Sequence, residues 1–108
     1  GGTVRRAAAV LVLAVGCGRP AAPSVEELAL ERLAEADAHF ERKQWSEAAA
    51  AYEDVVRRRD LIRDAWLRLA TAYAEMGERG KAVGTLDRWL RIDPTDEEAR
   101  ARREALVK

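Results

Sequence analysis

The side chains that could do chemistry are few in this sequence. Asp37 and Glu41 stand four residues apart, so a helix would present both carboxylates on one face, and paired carboxylates can act as general acid and base. His39 is the only histidine and Cys17 the only cysteine, so no second histidine or thiol could complete a zinc site. The sequence has neither a glycine-rich phosphate loop nor a nucleophile beside a recognisable base. We therefore expect a protein that is not an enzyme and needs no cofactor or metal.

Basic, apolar and small residues follow one another at the N-terminus. A pair of arginines precedes an uncharged apolar run over residues 7–15, and Gly16-Cys17 comes next. Nine apolar residues are too few to cross a bilayer as a helix, which takes roughly 20. This order of zones is instead typical of a secretory signal. We therefore predict a signal peptide over residues 1–16.

The residues around Cys17 resemble a bacterial lipobox, in which the signal is cut before a cysteine that is then lipidated. The lipobox here is Ala14-Val15-Gly16-Cys17, and residues 17–24 form a linker rich in glycine, proline and alanine. Each methylene buried in a bilayer contributes roughly 0.8 kcal/mol, so several acyl chains would hold the protein to a membrane. By the same resemblance, Gly18 implies the outer membrane, with the protein facing the periplasm. The alternative is that Cys17 is a buried or incidental thiol.

Residues 63–96 have the pattern of two helices joined by a tight turn. Apolar residues in the first half, beginning at Trp66, fall on one stripe of a helix. Gly77 supplies the turn, because glycine tolerates a positive φ at little cost. A second stripe begins at Ala82 and ends at Pro94, which cannot continue a helix.

The same pattern occurs once more upstream, at a constant offset. This offset links Ala36 to Ala70 and Ala48 to Ala82, and such small residues allow two helices to cross closely. Helix–turn–helix units that repeat with a period of about 34 residues resemble the tetratricopeptide repeat (TPR) family. The positions that match the family's signature are Ala36, Ala48, Tyr52, Trp66, Ala70, Tyr73, Gly77, Ala82 and Pro94.

The resemblance implies an all-α fold, a short TPR-type α-solenoid. We expect two helix–turn–helix units within residues 25–94, at about 29–62 and 63–96, and a C-terminal capping helix over residues 95–108. This last helix could instead be the first helix of a third unit. Lys43 departs from the family pattern, because it stands where the turn usually has glycine.

Three helix starts can be predicted from capping residues. Ser24 and Glu27 form a capping box, with serine at the cap and glutamate three residues later. Asp60, where the family usually has a closing proline, is a candidate cap for the third helix. Thr95 and Glu98 match a second capping box, which predicts the start of the last helix.

The resemblance also implies where a partner would bind, since the first helix of each TPR unit lines a concave groove. The residues of this chain at those positions are Leu33, Asp37, Phe40, Glu41, Leu67, Arg68, Thr71, Ala74 and Glu75. The carboxylates among them would form an acidic edge beside the apolar side chains. Such an edge favours a partner segment with lysine or arginine near apolar residues. The alternative is that these carboxylates are solvated and that Phe40 belongs to the core.

Charge and size narrow the choice of partner. The chain has 19 basic and 19 acidic residues, and this balance argues against nucleic acid, for which a basic stripe is expected. Two repeat units make a small stack, whereas about three are usually needed for stability. Self-association or a partner protein would therefore add stability.

His39 stands where the family usually has an aromatic residue between helices, which implies a structural role.

Together these features predict a membrane-anchored scaffold for protein–protein interactions in the bacterial cell envelope. It resembles the TPR lipoproteins that help to assemble pili, secretion channels or outer-membrane barrels. The alternative is an accessory subunit of an envelope enzyme complex, for example one that processes peptidoglycan, with the chemistry on another chain.

Overall fold

The computed structural model describes residues 21–108, and these form α-helices and no strand. The helices are α1 (Val25–Glu41), α2 (Trp45–Arg58), α3 (Arg63–Glu75), α4 (Arg79–Ile92) and α5 (Glu97–Val107). The prediction of an all-α solenoid is confirmed. The predicted signal peptide and the predicted lipidation site, Cys17, lie outside the described residues.

The helix boundaries follow the same period as the sequence. The offset that links Ala36 to Ala70 also separates the first residues of α2 and α4, the last residues of α2 and α4, and the first residues of α3 and α5. The first unit is α1 with α2, and the second is α3 with α4. Helix α5 therefore occupies the place that the first helix of a third unit would take, and it covers the end of the stack.

The first helix begins as predicted. The Ser24 hydroxyl accepts a hydrogen bond from the backbone N–H of Glu27 at 3.0 Å, and the Glu27 carboxylate accepts one from the backbone N–H of Ser24 at 2.9 Å. This reciprocal pair satisfies two of the N–H groups that a helix start leaves without partners.

The predicted cap of α3 is wrong. The N-cap residue is Ile62, whose side chain makes no capping bond, and the helix begins at Arg63. Asp60 instead contributes its backbone carbonyl, which accepts a hydrogen bond from the indole N–H of Trp66 at 2.8 Å. The ring of Trp66 is almost fully buried, so its N–H needs a partner, and the chain before the helix is positioned to supply one.

The predicted cap of α5 is wrong by one residue. Asp96, not Thr95, is the N-cap, and its carboxylate accepts the backbone N–H of Ala99 at 3.1 Å. Thr95 donates both its backbone N–H and its hydroxyl to the Asp93 carboxylate, at 3.1 and 2.6 Å. Thr95 therefore belongs to a short turn that the Asp93 side chain closes, and it does not cap α5.

The two turns inside the units share one backbone conformation. Gly77 has φ +79°, and Lys43, which holds the equivalent position in the first unit, has φ +60°. Positive φ costs a residue with a Cβ about 1–2 kcal/mol. The first unit therefore tolerates strain at Lys43 that glycine avoids in the second.

The four alanines predicted to lie where helices cross are buried. Ala36, Ala48 and Ala82 are 0% exposed and Ala70 is 3% exposed. Their lack of bulk lets neighbouring helices approach, and large side chains such as Tyr52 fill the space beside them. Their burial fits the predicted position in the seams between helices.

Candidate protein-binding face

The first helices of the successive units, α1, α3 and α5, together form one surface, which we call the first-helix face. It contains an open depression of about 520 Å³, which we call the arginine depression. Its lining residues are Phe40 from α1, Arg63, Asp64, Leu67, Arg68 and Thr71 from α3, and Glu98 and Arg102 from α5. Of the residues predicted to contact a partner, Phe40, Leu67, Arg68 and Thr71 are thus brought together.

Asp37 is held by two side chains from other helices. Its carboxylate accepts a hydrogen bond from the Tyr52 hydroxyl of α2 and another from Arg68 of α3, the latter at 3.1 Å. Burial raises the pKa of the Tyr52 phenol, and the bond to Asp37 raises it further. The neutral hydroxyl therefore remains a donor to the carboxylate.

A guanidinium group from α3 lies against the predicted acidic edge. The guanidinium of Arg68 lies 3.1 Å from the Asp37 carboxylate and 3.8 Å from that of Glu41, so its single positive charge offsets part of the negative charge there. Three guanidinium groups line the arginine depression, and the carboxylates there belong to Asp64 and Glu98. The residue types of α1 suggested a surface for basic partners, but the neighbouring helix supplies the opposite charge.

Phe40 is packed inside the first unit. Its ring meets those of Trp45 and Tyr52 edge to face, with centroids 5.2 and 6.1 Å apart, and the guanidinium of Arg68 lies over it at 4.9 Å from the centroid. Edge-to-face pairs and a cation over a ring face are both favourable arrangements. The alternative assignment of Phe40 to the core therefore fits the structure better than a free groove residue.

The remaining predicted groove residues differ in accessibility. Leu67 is 5% exposed and Leu33 is half-buried against the core. Thr71 is half-buried, donating its hydroxyl to the carbonyl of Leu67 at 3.0 Å. The exposed ones are Glu41, Ala74 and Glu75. Their role in partner binding stays a prediction.

His39 lies away from the arginine depression. It is half-buried, and its Nδ1 lies 2.7 Å from the side-chain oxygen of Gln44 across the turn between α1 and α2. This contact fits the structural role expected of it. Within residues 21–108, no three histidine, cysteine, aspartate or glutamate side chains cluster as a metal site would require.

A buried carboxylate that the sequence did not predict lies at the edge of the same face. Asp96, 8% exposed, accepts hydrogen bonds from Arg63 at 2.6 and 3.2 Å and from the Trp89 indole N–H at 2.8 Å. It also accepts the Ala99 N–H of the helix cap. The Arg63 guanidinium and then these N–H donors hold the pKa of Asp96 well below its usual value, although burial acts in the opposite direction. Asp96 thereby ties α3, α4 and α5 together.

A second carboxylate, Glu53 of α2, joins the two units. It accepts the Tyr73 hydroxyl at 2.7 Å and two hydrogen bonds from Arg88 at 3.2 and 3.3 Å. Burial, followed by this bond to Glu53, raises the pKa of Tyr73 to about 12. The guanidinium of Arg88 also lies 4.9 Å over the ring of Trp66. These contacts fix α2 against α3 and α4.

The chain matches a known protein family. Residues 33–97 match the model of a family described as the tetratricopeptide repeat, and no curated protein is significantly similar to the chain. The match begins within α1 and ends at the start of α5, so it spans both units. Among the helices of residues 21–108, none combines the length and the apolar character needed to cross a bilayer.

Proposed function

Because the chain belongs to the tetratricopeptide repeat family, we propose that it is a membrane-anchored scaffold of the bacterial cell envelope that binds a partner protein on its first-helix face. Repeat solenoids of this kind bind other proteins on the extended surfaces that their stacked helices create. The observation that carries the proposal is the arginine depression, which brings three helices and three guanidinium groups to one open site.

The charges of this depression indicate the chemistry of the partner segment. The side chains of Arg63, Arg68 and Arg102 remain 37–42% exposed although each makes an ion pair. An incoming carboxylate could therefore pair with the exposed part of any one of these guanidinium groups. A segment with aspartate or glutamate beside apolar residues fits this surface better than a basic one.

The anchor rests on the N-terminal sequence. The basic, apolar and small-residue zones before Cys17 support export, and the lipobox-like residues support lipidation of that cysteine. Lipidation would tether the helical module, facing the periplasm, to the outer membrane. The proline-containing linker would separate the module from the lipid surface.

The anchor can be tested by expressing the full chain in a Gram-negative host and labelling it with a clickable palmitate analogue. Label should appear on the wild type and be absent from Cys17→Ser. The variant should also leave the membrane fraction, because it lacks acyl chains. Equal labelling of both proteins would refute lipidation at this residue.

Partner binding can be tested by placing a photoreactive residue at Glu41, which is exposed on α1. A matched control carries the same residue at Glu47, which is exposed on α2, outside the first-helix face. The proposal predicts a discrete crosslinked product in membranes from Glu41 and none from Glu47. The same products from both positions would contradict a binding role for this face. A product that contains an envelope enzyme would favour the accessory-subunit function.

A further inference from the structure

The two units differ at the place where each packs against the first helix that follows it, α3 for the first unit and α5 for the second. In the first unit the rings of Phe40, Trp45 and Tyr52 meet there, with centroids 5.2 and 6.1 Å from that of Phe40. Arg68 of α3 closes the cluster from above, 4.9 Å from the Phe40 centroid. Helices α1, α2 and α3 alone build this filled site.

The second unit lacks all three rings. The residues at the equivalent positions, one repeat later, are Ala74, Arg79 and Leu86. At this place the structure has an apolar pocket of about 310 Å³ between α3, α4 and α5. Ala74 and Leu86 line it, and Arg102, the equivalent of Arg68, stands on its rim. The pocket therefore lies where the repeat pattern would put an aromatic ring.

The guanidinium of Arg102, at this pocket, also has different partners from that of Arg68. Arg68 faces the carboxylates of Asp37 and Glu41 on the preceding first helix. At the place equivalent to Asp37 stands Thr71, whose hydroxyl lies 3.4 Å from Arg102. Arg102 pairs with Glu98 of its own helix at 2.8 Å, and its side chain is 42% exposed. At the places equivalent to Phe40 and Asp37 the second unit thus has an alanine and a threonine, whereas Glu75 keeps the place of Glu41.

We infer that the apolar pocket binds an aromatic side chain of the partner protein, with the guanidinium of Arg102 over the ring and a neighbouring acidic residue of the partner paired with that guanidinium. The volume suffices, since a cavity of about 150 Å³ can hold benzene. The cation gains from the ring face and from the carboxylate together. The inference rests on the proposed function and names the part of the partner that the face recognises.

The pocket is open in the folded protein, so a small probe can test it. Titration of the isotopically labelled protein with the dipeptide acetyl-Phe-Asp amide, followed by methyl NMR, should shift the signals of Ala74, Leu86 and Leu106. Acetyl-Ala-Asp amide, which lacks the ring, should leave them unchanged. Absence of shifts with the aromatic probe at millimolar concentration would overturn the inference.

Two variants separate pocket binding from a general surface effect. Ala74→Phe should refill the pocket with the chain's own ring, raise the melting temperature and abolish the probe shifts. The control Ala50→Phe places the same ring on an exposed position of α2, outside the pocket, and should leave binding unchanged. Arg102→Gln keeps the pocket and should weaken binding about fivefold, the effect of losing one cation over a ring. Probe binding that survives Ala74→Phe, or is unchanged in Arg102→Gln, would place the probe elsewhere.

The Glu41 crosslink measured in Ala74→Phe separates a failure of the pocket inference from a failure of the scaffold function. If Ala74→Phe removes the product crosslinked at Glu41, the partner uses the pocket. If the product persists in Ala74→Phe, this inference fails while the scaffold function stands. Concentration-dependent dimerisation that Ala74→Phe abolishes would instead give the pocket to a second copy of this chain and overturn the inference.

Discussion

Replacing Asp96 with asparagine would remove the charge that ties α3, α4 and α5 together while keeping the shape of the side chain. Asparagine is as good an N-cap as aspartate, so its oxygen can still accept the Ala99 N–H of the helix cap. Its amide group, however, takes the place of the oxygen that accepts from Trp89 at 2.8 Å and from Arg63 at 2.6 Å. The N–H groups of Trp89 and Arg63 would then face the NH₂ group of the asparagine, which is also a hydrogen-bond donor.

The cost can be worked from these contacts. A hydrogen bond to a charged group is worth about 1.5–3 kcal/mol, and an unpaired buried donor costs about 1–3 kcal/mol. Arg63 loses less than this range suggests, because its side chain is 40% exposed and also pairs with Glu98 at 2.8 Å. The indole N–H of Trp89 is buried, so neither water nor a second carboxylate compensates for the lost bond. We therefore expect Asp96→Asn to lower the free energy of unfolding by about 2–3 kcal/mol.

Urea denaturation followed by far-ultraviolet circular dichroism would measure this loss. Asp64→Asn is the matched control, because Asp64 also lies near Arg63, at 3.8 Å, but its side chain is 84% exposed. The control should change the free energy of unfolding by less than about 0.5 kcal/mol. Equal losses in the two variants would refute the assignment of Asp96 as the residue that joins the helices.

The pH dependence gives the same prediction a second test. The folded state lowers the pKa of Asp96, so its stabilisation is complete above the unfolded value of about 3.9. It is lost as the pH falls through the folded pKa. The difference between wild type and Asp96→Asn should therefore be constant from neutral pH to about pH 5 and shrink below about pH 4. A difference that already disappears near pH 6 would mean that another group is responsible.

The turns, the half-buried phenol of Tyr73 and the alanine seams give three further predictions. Lys43→Gly should raise the free energy of unfolding by about 0.5–1 kcal/mol because it relieves a positive φ, and Gly77→Ala should lower it by about 1–2 kcal/mol. Urea denaturation measures both changes, and two changes of the same sign would contradict the shared turn conformation. Since the pKa of Tyr73 is raised to about 12, its phenolate absorbance should appear well above pH 10, and wild-type stability should fall from about pH 10 to 12 more steeply than that of Tyr73→Phe. Ala70→Leu should cost about 1–3 kcal/mol by overpacking a seam, whereas Ala50→Leu on the exposed side of α2 should be nearly neutral in the same melts.

The sequence by itself determined the helices, their period and their seams. Alanine at Ala36 and Ala70 marks the crossings because only a small side chain lets two backbones approach, and Gly77 marks a turn because its φ is positive. These features depend on one residue or on a few neighbours along a helix. A short window of sequence therefore contains the information for each helix and turn, and a comparison of windows one repeat apart gives the period.

The helix starts and the site depended on more distant contacts. Thr95 and Asp96 are both good capping residues, and the choice between them follows from Arg63 and Trp89, which bind Asp96 across 33 and 7 residues. A local pattern cannot include such partners. The capping box of the first helix, where Ser24 and Glu27 bind only each other, was predictable for the converse reason.

Only the tertiary structure decided the electrostatics and the shape of the binding face. Asp37 and Glu41 indicate an acidic surface until α3 brings Arg68 against them, and Ala74 is an ordinary helical residue until α4 and α5 form an open pocket beside it. The physical reason is that charge compensation and cavity volume depend on how neighbouring helices are rotated and spaced. That arrangement is fixed by the packing of the whole stack, whereas each helix is specified by its own residues.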